Sequence, residues 1–83
     1  MQTSLFTSLL FVFGYRVKQY RIEKNLSIEE LSAISAIDIV KLTGIEKGSI
    51  DSTLNELVSI SAALEMSLYE LFNDIESNLY FRN

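Results

Sequence analysis

Three times in this chain a hydroxyl side chain is followed three positions later by glutamate at the head of an apolar run: Ser27 with Glu30, Thr53 with Glu56 and Ser67 with Glu70. In such a capping box the hydroxyl accepts an otherwise orphaned backbone N–H, and the glutamate reaches back to the N–H of the cap. Each box fixes a helix start, and the chain contains no proline to break the helix that begins there. Asp38 supplies a fourth start and Gly48 a stop. The pattern predicts an all-α chain of five helices: about 4–24, ended by Asn25-Leu26; a second from Ser27; a third over 39–46; a fourth over about 53–64; and a fifth from Ser67. Ser35-Ala36-Ile37 is the turn between the second and third. Helical spacing selects the inward residues as Phe13, Val17 and Tyr20, then Leu31 and Ile34, then Leu54, Leu57, Ile60, Ala63 and Leu64, and finally Leu68, Leu71 and Phe72.

Eighty-three residues at 48% hydrophobic content suffice for one small core. Cysteine and histidine are both absent. That removes disulfides, thiolate and imidazole metal ligands, and the commonest general base. There is no glycine-rich phosphate loop, and the carboxylates are accounted for by caps and solvated faces. The chain is therefore read as not an enzyme, with no catalytic residue, no metal site and no cofactor. Net charge is −4, unlike most nucleic-acid binders, but it is unevenly spread. Residues 1–48 carry six basic and five acidic side chains, whereas 49–83 carry one basic and six acidic. The first half can face a polyanion while the second faces away.

Leu5–Phe13 is strongly apolar. It lacks the positive flank and cleavage site of a signal peptide and is too short to span a bilayer. The reading adopted is a first helix whose apolar surface is covered by the domain or by a second copy; membrane association of this end is the alternative. A cytoplasmic location is expected.

Four anchors occur in order: Gly14-Tyr15-Arg16-Val17-Lys18-Gln19-Tyr20-Arg21; Leu26-Ser27, then Glu29-Glu30-Leu31; Ile45-Glu46-Lys47-Gly48; and Ala62-Ala63-Leu64-Glu65-Met66-Ser67-Leu68-Tyr69-Glu70-Leu71-Phe72. The stretch 13–72 that contains them resembles the lambda-repressor/Cro-like helix-turn-helix domain of the XRE family, mostly transcriptional regulators. The resemblance implies a five-helix lambda-repressor-like DNA-binding domain at 13–72, an apolar N-terminal extension of helix one at 1–12, and a C-terminal tail at 73–83 as a possible dimer contact. It also implies that Arg21 pairs with Glu46, tying helix one to the end of the recognition helix, with Gly48 as the stop of that helix.

By the same resemblance, DNA contacts fall on Ser27 and Ile28 at the start of helix two and on Ile39, Val40, Lys41, Thr43, Gly44 and Lys47 along helix three. These positions depart from the family pattern. Bidentate polar groups usually read base edges there, whereas Ile and Val can touch only thymine methyls and Gly44 offers nothing. Gly44 also lowers helix stability by about 1 kcal/mol relative to alanine. The loop Ser49-Ile50-Asp51-Ser52 lacks phosphate-clamping cations.

The expected function is a small sequence-specific transcriptional regulator that binds double-stranded DNA at a palindromic operator as a homodimer. The alternative is a helix-turn-helix fold that has lost base readout and serves as a protein-interaction module, with Ile39, Val40 and Ile50 as its apolar face.

Overall fold

The structure, a computed structural model, describes residues 5–73. All regular structure among them is helical: α1 (Leu5–Glu23), α2 (Ile28–Ser35), α3 (Ile39–Lys47), α4 (Leu54–Ala63) and α5 over 68–73. The capping chemistry sets these bounds. Ser27 Oγ accepts from the Glu30 N–H at 2.9 Å and the Glu30 carboxylate accepts from the Ser27 N–H at 2.8 Å. Thr53 with Glu56 and Ser67 with Glu70 repeat the arrangement. Asp38 caps α3 by accepting from the Val40 and Lys41 N–H groups.

The helix ends are equally well defined. Asn25, Gly48 and Glu65 adopt left-handed backbone after α1, α3 and α4. Each is followed by a residue whose N–H returns to a carbonyl five residues back: Leu26 to Arg21, Ser49 to Gly44 and Met66 to Ser61. That is the Schellman closure, which satisfies the last orphan carbonyls. Ala36 ends α2 in the same left-handed region at φ 59°.

Val17, Leu31, Leu42, Ile45, Ile60, Leu64 and Leu71 are almost completely buried and form the centre of the core. Leu9, Val12 and Tyr20 of α1 pack on it from one side. Phe13 stacks on Phe72 with ring centroids 5.2 Å apart, joining α1 to α5. The α1–α3 crossing is close because Gly14 has no side chain. A Cβ there would lie 2.1 Å from the Ile45 carbonyl oxygen and 2.7 Å from that of Glu46.

Two residues expected inside stand outside. Ile34 is 57% exposed and Leu54 70% exposed. In the eight-residue α2, Leu31 and Ser35 hold the inward positions one turn apart, and Ile34 falls beside that stripe. Leu54 is the first residue of α4, and the core-facing line of that helix passes through Leu57 and Ile60. The C-terminal tail 73–83, expected as a possible dimer contact, lies outside the described residues from 74 onward.

Candidate nucleic-acid interface

The α2–turn–α3 unit is fixed to α1 by Arg21. Its Nε donates to Glu46 Oε2 at 2.8 Å and one terminal nitrogen donates to Oε1 at 3.1 Å, a two-point contact. The other terminal nitrogen donates to the Leu26 carbonyl at 3.0 Å, in the α1–α2 connection. Both side chains are largely shielded from solvent. The hydrogen bonds from Arg21 to the Glu46 carboxylate outweigh desolvation and raise the guanidinium above its ordinary pKa. Gly48 ends α3 at φ 77°, and a Cβ there would lie 2.7 Å from Phe11 Cα, so this stop is also a helix–helix contact.

The candidate contact residues on α3 divide by environment. Val40 is 72% exposed, Lys47 is exposed, and Ile39 and Thr43 are half-buried. Gly44, expected on the outer face, is instead buried. A Cβ at this position would fall 2.2 Å from Ile50 Cδ1, so the α3–α4 loop closes over the helix there. The gap in the row of base-facing side chains is thus a packing contact, because the Ile50 side chain occupies the space a Cβ would take and would have to rotate away to admit one.

Lys41 is held by Glu56 of α4 at 2.7 Å. The hydrogen bond from Lys41, with that from the Thr53 N–H, holds the Glu56 carboxyl below its ordinary pKa. Lys41 therefore reaches the surface already neutralised.

The helix N-termini are also engaged by the chain itself. In α2 the box uses the N–H groups of Ser27 and Glu30, leaving those of Ile28 and Glu29 as orphan donors. Ile28 packs partly against the core. The N-terminus of α3 is filled by the Asp38 carboxylate.

Thr43 and Lys47, one turn apart on α3, form a ridge between two open grooves. One runs along Ile39, Val40, Gly44 and Ser49. The other, of about 440 Å³, lies between α1 and α3 and is walled by Phe11, Tyr15, Lys18 and Ile28, with Arg21 and Glu46 beneath. Phe11, Tyr15 and Lys18 are not among the contact residues expected from the sequence. Their signal is present in the spacing 11, 15, 18, 21, which sets them on the stripe of α1 that carries Arg21.

Two helices joined by a tight turn, the second held at a fixed angle by a helix-one arginine, define a helix-turn-helix protein. The profile of the helix-turn-helix family matches residues 17–71, and the chain belongs to that family, in its XRE-type branch. It is 42% identical over 65 residues to the control protein C.MunI of a Mycoplasma species, a match that spans 77% of this chain and 88% of that protein. It is 31% identical over 70 residues to the transcriptional regulator SinR of Bacillus licheniformis, covering 83% of this chain but only 63% of SinR. Among solved structures, the restriction-modification controller protein C.AhdI of Aeromonas hydrophila superposes with a TM-score of 0.74 at 33% identity, over 76% of this chain and 96% of that one. A mutant of the controller protein C.Esp1396I gives 0.79 at 26% identity, over 96% of this chain and all of the other.

No helix among the described residues is long and apolar enough to cross a membrane. Among those residues there is also no group of three acidic, histidine or cysteine side chains placed to hold a metal.

Proposed function

We propose that this protein is a DNA-binding transcriptional regulator of the restriction-modification controller type, acting in the cytoplasm as a homodimer on a palindromic operator and carrying no enzymatic activity. The observation that carries the reading is the Arg21–Glu46 pair, which fixes α3 with Val40, Thr43 and Lys47 turned outward. The resemblance to C.MunI and C.AhdI supports the controller assignment. Two-fold symmetry would set paired α3 helices about one DNA turn apart.

Specificity in this reading is narrow. Thr43 supplies the polar contact to a base edge, Val40 and Ile39 offer apolar contact to thymine methyls, and Lys47 contributes backbone charge. Selection from a random duplex pool at about 50 mM salt, where weak electrostatic binding is retained, should enrich a palindrome with thymine-rich half-sites. Thr43→Ala should relax preference at one base pair per half-site while leaving non-specific affinity intact.

A protein-interaction role is favoured by one specific feature: Val40 is 72% exposed while Lys41 beside it is neutralised by Glu56. A random pool that stays unenriched, together with partner capture lost in Val40→Asp, would decide for that role.

A further inference from the structure

Among the described residues, Lys18, Lys24 and Lys47 are the cations that make no ion pair. Two of these three, Lys18 and Lys47, line the same groove between α1 and α3. Tyr15 lines that groove as well, and its hydroxyl accepts from the Gln19 amide at 3.3 Å, which leaves its own proton free to donate. Thr43 of the α3 ridge borders the groove, and Phe11 and Ile28 supply apolar wall. Elsewhere on this side of the molecule the usual phosphate seats are compromised. The first turn of α2 carries Glu29 and Glu30, Asp38 fills the start of α3, and Asp51 stands exposed in the α3–α4 loop.

We propose that the α1–α3 groove is a phosphodiester track, in which Lys18 and Tyr15 of α1 grip the DNA backbone beside the α3 ridge and Lys47 closes the opposite edge. This rests on the DNA-binding reading and extends it by moving the main backbone grip from the helix N-termini to the flank of α1. The chemistry of the groove fits a nucleic-acid strand. Two ammonium groups and the Tyr15 hydroxyl match phosphate oxygens, and the Phe11 and Ile28 surfaces match the apolar faces of the deoxyribose rings. Lys18 also lies on the basic half of the chain, so the track adds positive charge where the total charge is least unfavourable.

The test is the salt dependence of binding to a mixed-sequence duplex of about 30 base pairs, between about 50 and 200 mM salt. Removing one phosphate contact lowers the slope of log K against log salt by about 0.9. Lys18→Ala should show that drop and weaken binding to every sequence alike, and Lys18→Arg should restore the slope. Tyr15→Phe should weaken binding several-fold with the slope unchanged, since a neutral hydroxyl releases no counterion. Lys24→Ala is the control, an unpaired lysine of the same sequence region that does not line the groove. Melting curves of the exposed-site variants confirm that the fold is retained. A wild-type protein that binds duplex with a slope insensitive to Lys18→Ala overturns the track and leaves the regulator reading standing. Absence of any duplex binding by wild type at low salt overturns both.

Discussion

Arg21 and Glu46, twenty-five residues apart, meet in a two-point ion pair whose carboxylate side chain is only 6% exposed. The third hydrogen bond, to the Leu26 carbonyl, makes Arg21 the point where α1, the α1–α2 connection and α3 converge. A nine-residue helix such as α3 has little capacity to hold its own orientation, and its buried face contributes mainly Leu42 and Ile45 to the core. The ion pair fixes orientation more than it adds net stability, because desolvation offsets much of the Coulomb gain.

Truncating one partner should therefore be far worse than replacing both. Arg21→Ala leaves Glu46 shielded and unpaired and should destabilise the fold by about 3–5 kcal/mol. Arg21→Lys should rescue only part of this, since an ammonium cannot make the two-point contact. The double variant Arg21→Met, Glu46→Leu should recover most of the stability. Urea denaturation of the four proteins checks the order, and equal midpoints for Arg21→Ala and wild type would remove the anchor.

Gly14 is the second device that seats α3. An added methyl would meet the carbonyl oxygens of Ile45 and Glu46. These are backbone atoms that cannot rotate away, so α1 and α3 must separate. Gly14→Ala gains helix propensity of about 1 kcal/mol, yet net destabilisation of about 1–3 kcal/mol is expected as overpacking wins. A thermal melt in which Gly14→Ala is more stable than wild type would show that the crossing can relax.

Ala36 invites the opposite change. It is exposed and sits at φ 59°, where its Cβ is strained by roughly 1–2 kcal/mol and glycine is not. Ala36→Gly should raise the melting temperature, the relief of strain exceeding the added freedom of the unfolded chain. A lower melting temperature would mean that the α2–α3 turn prefers another backbone conformation.

The contrast between Gly48 and Ala36 shows what was legible in the sequence. Helix starts were readable because the cap residues act locally: Ser27 and Glu30, like Thr53 and Glu56, bond only across their own first turn. The stop at Gly48 was readable from residue type, but Ala36 and Glu65 occupy the same left-handed region and carry no such signal. Asn25 lies between these cases. The burial of Gly44 was out of reach, since it depends on Ile50 folding back over α3. The Lys41–Glu56 pair was hidden for the same reason: it joins two helices whose relative placement periodicity does not specify. Along α1, the inward stripe masks the second line through Tyr15 and Lys18, which becomes meaningful only with α3 beside it.

Glu56 links stability to pH and surface charge at one position. One oxygen accepts from the Thr53 N–H at 2.8 Å and the other from Lys41 at 2.7 Å. These contacts hold its carboxyl below the ordinary range, the Lys41 hydrogen bond foremost. A carboxyl whose folded pKa is lowered stabilises the fold fully above its unfolded pKa of about 4.3, and that contribution is lost as pH falls through the depressed folded value. Glu56→Gln keeps an oxygen for the cap but removes the ion pair. The variant should be slightly less stable than wild type at pH 7, by at most about 1 kcal/mol because both side chains are partly solvated, and the gap should close as the pH is lowered below about 4. Parallel urea titrations at pH 7 and in the acid limb measure it, and a gap that widens in acid would contradict the assignment. The same substitution frees Lys41 and deletes a negative charge beside α3. Under the DNA-binding reading Glu56→Gln should therefore bind duplex more tightly than wild type, with a salt slope steeper by about 0.9. Tighter binding in a less stable protein would separate the electrostatic role of Glu56 at the surface from its structural role in the cap.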